Sequence, residues 1–246
     1  MFLKKSFLSV ATLFFLSSPA WALTNESKDL KAVLENGTLN QADCDRYRAG
    51  QTDEETKLRC GKFMFFYDAL GVPGLPKGLI DLLRKNAPNT VGKSLEKLGL
   101  HKDPYSPDAL PVGFVSGPKQ KGGYVGYTPT CATCHMGQTP DGRYVVGQPN
   151  HSFAASQLFL TLAVVPEVIF TYKKPLDPPV ERVLRPLLDE FYTGWNSVKV
   201  VGQLLKILPN VIATGKKGLN AEQKAFLATH PTGTLDAFAA PVFDES

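Results

Sequence analysis

The chain has 246 residues, 43% of them hydrophobic, and a formal net charge of +4. That length suffices for one good-sized core or two small ones. The near balance of 27 basic against 23 acidic residues lacks the charge excess on which binding to nucleic acid or an anionic membrane depends.

In chain order, residues 1–22 read as a secretory signal peptide. Lys4 and Lys5 supply the charged start, Phe7 to Leu16 a short apolar run, and Ala20-Trp21-Ala22 an A-x-A cleavage site. The apolar run is shorter than the roughly 20 residues a bilayer span requires. Cleavage after Ala22 leaves residues 23–246 as the expected mature domain, and the loss of two lysines lowers its count to 25 basic against 23 acidic residues. The expected location is the periplasm, with no transmembrane anchor after cleavage. In that oxidising compartment Cys44 and Cys60 are expected to form a disulfide, worth roughly 3 kcal/mol in the chain-entropy model.

Residues 26–36 pattern as a short amphipathic helix stopped by Gly37. The stretch 40–70 is polar and then aromatic, with Phe63, Phe65, Phe66 and Tyr67 as a buried helix flank. The Gly-Val-Pro-Gly run at 71–74 breaks the chain. Helices are expected at 77–86, ended by Pro88, and at 92–99, capped by Asn89 or Thr90. Residues 101–130, rich in Gly, Pro and Tyr, read as ordered loop with a strand at Gly123 to Tyr127. A turn and an extended piece follow at 141–150. Further helices are expected at 152–171 interrupted at Pro166, at 178–197 with Pro186 as a kink or break, at 198–208 with one face to the core, and from a capping box at Asn220–Gln223 to Pro231. The tail from Thr232 has no closing element.

Two of the four cysteines and one of the four histidines gather in a single pentapeptide, Cys131-Ala132-Thr133-Cys134-His135. Random placement at this composition would produce C-x-x-C-H on the order of once in a thousand such chains. The spacing is the attachment signal of a c-type haem: two thiols two residues apart each add to a vinyl group of one porphyrin, and the adjacent imidazole binds the iron. A redox dithiol is a weaker reading, because no βαβ pattern surrounds it. So is half of a zinc site, because Cys44 and Cys60 are far upstream and poorly spaced. One covalent haem c is therefore expected, held by Cys131 and Cys134, with His135 as proximal iron ligand. The expected fold class is mainly α, a cytochrome c-like haem domain with extra helices and long Gly/Pro-rich loops.

Several flanking segments carry a resemblance. They are the aromatic helix, the Gly-Val-Pro break, Leu98-Gly99-Leu100, Pro111-Val112-Gly113-Phe114, Val125-Gly126, Pro140-Asp141-Gly142-Arg143 and Val146-Gly147-Gln148-Pro149-Asn150. In this order around C-x-x-C-H, the chain resembles the N-terminal half of the two-haem c-type cytochromes that include rubber oxygenases and relatives of di-haem peroxidases. The clearest match runs over about residues 62–160, and Gly233 to Phe238 resembles the segment leading into the second haem domain. The resemblance implies roles for Cys131, Cys134 and His135 as above. The chain departs from that family in having a single C-x-x-C-H. A redox partner is therefore expected to be a separate protein or a second haem c domain or chain.

The sixth position on iron decides between electron transfer, which favours two strong axial ligands, and chemistry on peroxide or dioxygen, which needs an open site. Met136 adjoins His135 and reads as packing at the haem edge. Met64 reads as core, and His101 and His230 as exposed. His151 is the leading side-chain candidate for a distal ligand, weighed against an open site. Tyr124, Tyr127, Tyr144 and Phe153 bracket the motif as pocket walls or as ordinary packing. Glu167, Gln148 and Gln157 are available for proton handling, and none is assigned a catalytic role. The expected function is one-electron transfer, with a peroxidase- or oxygenase-like haem module as the alternative and a thiol-disulfide oxidoreductase using Cys131 and Cys134 as the third.

Overall fold

Asp53 opens the first long helix by accepting the Thr56 N–H at 2.9 Å, the N-cap interaction that replaces a missing helical acceptor. In the computed structural model, which describes residues 23–70, 75–119, 125–158, 160–161, 176–192, 201–203, 205–206 and 221–229, this helix is α3 (Glu54–Tyr67). It packs against α2 (Gln41–Arg48), which starts with a capping box between Asn40 and Asp43. A disulfide between Cys44 and Cys60 joins the two, as expected. Beside it the buried Asp43 carboxylate accepts from Arg46 at 2.6 Å and Arg59 at 3.1 Å. A buried carboxylate needs such partners, since removing one leaves an uncompensated charge.

Two small antiparallel sheets flank the helices. One orders its strands β1 (Glu26–Ser27), β6 (Tyr144–Val146) and β5 (Met136–Gln138); the other orders β2 (Leu75–Pro76), β4 (Val125–Pro129) and β3 (Phe114–Lys119). Register is set by Gly137 opposite Val145 in the first sheet and Val115 opposite Thr128 in the second. A single helical turn, α6 (Cys131–His135), leads from β4 of one sheet into β5 of the other.

Two hydrophobic clusters fill the interior. The larger draws on α4 (Lys77–Asn86), which buries Leu79, Ile80, Leu82 and Leu83, together with Leu98, Leu110, Tyr127, Phe153, Leu158, Leu187 and Phe191. The smaller joins Val33, Leu34, Leu39, Phe66, Val112, Ala132 and Met136. Burial of each large aliphatic side chain contributes roughly 1.5–3 kcal/mol, so α4 is held mainly by its apolar face.

The expectation of a mainly α, cytochrome c-like domain is not met. The described residues form a mixed α and β structure with two three-stranded sheets. Most of those strands are two to five residues long, too short for alternation to register, and β3 and β4 lie in the Gly- and Pro-rich stretch read as loop. Only its second strand was expected, and it runs Val125–Pro129, with 123 and 124 outside the described residues. The first helix is also shorter than its pattern, Leu30–Val33, because Glu35 and Asn36 take left-handed backbone angles. The helix expected at 92–99 is replaced by α5 (Pro88–Val91) and a 3-10 turn at Glu96–Leu98. Pro88 thus opens a helix at its first position rather than only ending α4, as its fixed φ and missing N–H allow. The N–H groups of Asn89 and Thr90 are satisfied by the Glu190 carboxylate at 2.9 and 3.0 Å. The helix Pro178–Tyr192 runs on through Pro186 without ending there. The signal peptide, Pro166, Asn220 and the tail lie outside the described residues.

Loss of the Cys44–Cys60 bridge in a Cys44→Ser, Cys60→Ser variant is expected to lower the unfolding free energy by about 3 kcal/mol, read from urea denaturation against the wild-type chain.

Candidate functional site

Positions 131, 134 and 135 are related as i, i+3 and i+4, so one helical turn places their side chains on one face. The structure has that arrangement, with its opposite face turned inward. Ala132 and Thr133 are buried, while Cys131 and His135 are exposed and Cys134 is half-buried. Cys131 and Cys134 are free thiols. The His135 imidazole makes no hydrogen bond among the described residues.

The inward face is clamped. Thr130 caps the turn by accepting the Ala132 N–H at 3.3 Å, and its own hydroxyl donates to the Phe66 carbonyl at 3.2 Å. The Gly113 carbonyl accepts two donors, the Thr130 N–H at 2.8 Å and the Thr133 hydroxyl. Gly113 sits at φ +85°, and a Cβ there would lie 2.2 Å from the Thr133 nitrogen. No other residue fits both the backbone angle and the space.

The carbonyls at the far end of the turn are also engaged. Cys134 accepts from the Asn150 N–H and His135 from the Gly147 N–H, each at 2.8 Å. The buried Asn150 side chain donates to the Gly99 carbonyl at 3.0 Å and accepts from the Ser152 N–H at 3.2 Å. Gly99, at φ +76°, passes so close that a Cβ would meet the Ser152 carbonyl. The segments 98–100, 111–114 and 146–150 therefore gather around α6.

Burial, and after it the neighbouring Cys131, pushes the Cys134 thiol up to about 11. A thiol held neutral at pH 7 is a poor attacking group in disulfide exchange. Among the described residues no group of three or more His, Cys, Asp or Glu side chains is arranged to hold a metal ion by itself. The strands on either side of α6 pair antiparallel, unlike the parallel βαβ setting of a thioredoxin-like dithiol. Two free thiols and an unengaged imidazole on one outward face of a clamped turn fit a covalently attached haem.

Other candidates are placed differently. His151 is exposed in the turn just after Asn150, whose N–H bonds Cys134. Met136 is fully buried in the smaller core beneath the turn. Met64, expected in the core, is exposed on α3. Tyr127 and Phe153 belong to the larger core, and Tyr144 packs on the smaller. Gln148 and Gln157 are half-buried, while Tyr124, Glu167 and His230 lie outside the described residues. A cleft of about 440 Å³ lined by Asp81, Arg84, Lys85, Pro88, Lys93 and Asp108 contains no motif residue.

His101, expected at the surface, is largely buried. Among the described residues its Nε2 has no hydrogen-bond partner, its ring meets Tyr144 edge-on at 4.9 Å, and the Met136 backbone lies against it. Burial holds the imidazole below its ordinary range, with the Met136 backbone opposing that shift. The missed residues are Thr130, Thr133, Gly113 and Asn150. A Thr-x-x-Thr pattern starting just before Cys131 was the one local signal for the cap. Nothing local marks Gly113 or Asn150 as its partners.

No protein-family model, curated protein or solved structure matches this chain. Among the described residues no helix is long and apolar enough to cross a membrane.

Gly113→Ala is expected to cost about 2–4 kcal/mol of stability, combining left-handed strain with overpacking, measured by chemical denaturation. A histidine whose folded pKa is depressed binds its proton more readily in the unfolded chain, so stability falls as pH drops below about 6.5. Thermal melts from pH 7.5 to 5 are expected to decline less steeply for His101→Phe than for wild type.

Proposed function

We propose that this chain is an exported, periplasmic c-type cytochrome that binds one covalent haem and carries out one-electron transfer. The observation that carries the reading is the outward triad of Cys131, Cys134 and His135 on a turn whose inward face is locked. When bound, the haem supplies an iron centre that passes between Fe(III) and Fe(II). The Cys131 and Cys134 sulfurs would hold it through thioether bonds and His135 through its imidazole.

The rest of the chain's contribution is positional. The doubly engaged Gly113 carbonyl and the Thr130 cap fix the direction in which the three side chains project. Asn150 and Gly147 tether the carbonyls of Cys134 and His135, which limits rotation of the turn. Holding the proximal ligand still keeps the structural change on electron transfer small. The disulfide and the signal sequence support an oxidising, exported setting.

The resemblance to the two-haem cytochromes is part of the same proposal. The segments that carry it, 98–100, 111–114 and 146–150, are those that gather around the motif turn. With a single C-x-x-C-H, the chain would exchange electrons with a separate redox protein or with a haem c domain on another chain. His151 is the described side chain to test first as a distal ligand.

The test is the absorption spectrum of the chain exported from a host with haem c maturation. The expected product keeps its haem through acid–acetone extraction, and a Cys131→Ser, Cys134→Ser variant loses it. A colourless wild-type protein with two titratable thiols at 131 and 134 would sink the proposal. The reduced spectrum is expected to be unchanged by carbon monoxide. A carbon monoxide shift would instead indicate an open sixth position and favour chemistry on peroxide or dioxygen.

A further inference from the structure

The cleft of about 440 Å³ lies apart from the motif turn and has a charge pattern of its own. Lys77, Asp81, Arg84 and Lys85 recur at i, i+4, i+7 and i+8 along α4, opposite its buried Leu79, Ile80, Leu82 and Leu83. The apolar face anchors the helix, and Asp81, Arg84 and Lys85 on the polar face form one side of the cleft. Pro88, Lys93 and Asp108 complete the lining. Lys93 and Asp108 come from loops that each hold a non-glycine residue in the left-handed region, Leu95 at φ 60° and Ala109 at φ 51°. Such positions persist only where surrounding contacts over-determine them, and they gather at ligand clamps.

Arg84 ties both loops to the helix. Its Nε donates to the Lys93 carbonyl at 2.6 Å, its Nη2 to the Asp108 and Ala109 carbonyls at 3.1 Å each, and its Nη1 to the Asp81 carboxylate at 3.4 Å. The side chain is 15% exposed, so the guanidinium is fixed in the cleft wall rather than free in water. These bonds leave one of the five N–H donors of an arginine, on Nη1, without a partner among the described residues.

The charges around the cleft do not cancel. Lys77 reaches the Asp81 and Asp108 carboxylates at 3.3 and 3.4 Å, and Arg84 shares Asp81, so these two acids are matched by two cations. Glu96 accepts the Lys93 and Ser94 N–H groups at 3.2 and 2.7 Å and has Lys97 beside it. Lys85 and Lys93 are exposed, and neither side chain has an ion-pair partner among the described residues. We propose that this cleft binds a small organic dicarboxylate, one carboxylate for each unmatched ammonium, with Arg84 Nη1 as a fixed third donor. An inorganic anion would leave most of the space to water, whereas clefts of this size take small organic molecules. Pro88 gives the carbon chain of the ligand an apolar surface. The site owes nothing to haem attachment.

The test is a titration of the full chain with succinate, followed by backbone amide NMR at low ionic strength, since salt screens exposed charges. Saturable shifts are expected at 84–85, 93–94 and 108–109, with a dissociation constant of about 1 mM or tighter. A Lys85→Gln, Lys93→Gln variant is expected to bind at least tenfold more weakly. Both side chains are exposed, so this variant keeps its fold, which circular dichroism checks. A Lys85→Arg, Lys93→Arg variant keeps both charges and is expected to bind like wild type. So is Lys28→Gln, Lys31→Gln, which removes two exposed lysines elsewhere. Three outcomes would each overturn the site: no shifts within 81–109 up to about 10 mM succinate, equal weakening in the Lys28, Lys31 variant, or inorganic phosphate bound as tightly as succinate. None of them bears on the haem, so the cytochrome reading stands or falls separately.

Discussion

The Gly113 carbonyl, which accepts both the Thr130 N–H and the Thr133 hydroxyl, is the contact on which the arrangement of this molecule turns. A buried hydrogen bond has a modest net worth of about 1 kcal/mol, but leaving its acceptor unpaired costs roughly 1–3 kcal/mol. Here one acceptor governs two donors from a five-residue turn. With Thr133 committed inward, helical geometry sends Cys131, Cys134 and His135 outward. The same turn joins the two sheets, places Ala132 in the smaller core and rests Cys134 against the larger. A slip of the turn would disturb both cores at once.

The polar groups around the turn follow one logic: buried ones are engaged in pairs or chains. Asn150 bridges Gly99 and Ser152 while its own N–H holds Cys134. Asp43 is held by two arginines, and Lys62 by Glu35 and the Thr24 backbone. Burial lowers the Lys62 pKa while its contact with Glu35 opposes that shift. Such pairs contribute little net stability compared with apolar packing, but each is satisfied in only one arrangement of the segments it joins. His101 stands apart, with a buried nitrogen that has no partner among the described residues.

On the proposed reading, the shallow setting of the motif makes physical sense. A cofactor tied by two covalent bonds and one ligand does not rely on deep enclosure for affinity. The protein's task is to hold three atoms in fixed relation, and a clamped turn between two sheets does that. On the same reading, a mature chain of net +2 would leave partner recognition to local shape rather than to long-range attraction.

Much of the architecture was legible where one segment carries its own signal. Helix α4 occupies the expected 77–86 because its apolar period and flanking prolines agree. The disulfide followed from compartment and count. Of the strands, β4 and β6 were anticipated as extended pieces at 123–127 and 141–150; the others were not, since runs this short carry almost no period. The burial of His101 and the exposure of Met64 contradicted local expectation because each depends on what a distant segment covers. By itself the sequence determined the chemistry available at 131–135, since covalent attachment and iron ligation depend on residue identity and spacing within one turn. Only the tertiary structure decided which side of that turn faces out and what holds it there, because those answers reside in contacts between residues tens of positions apart.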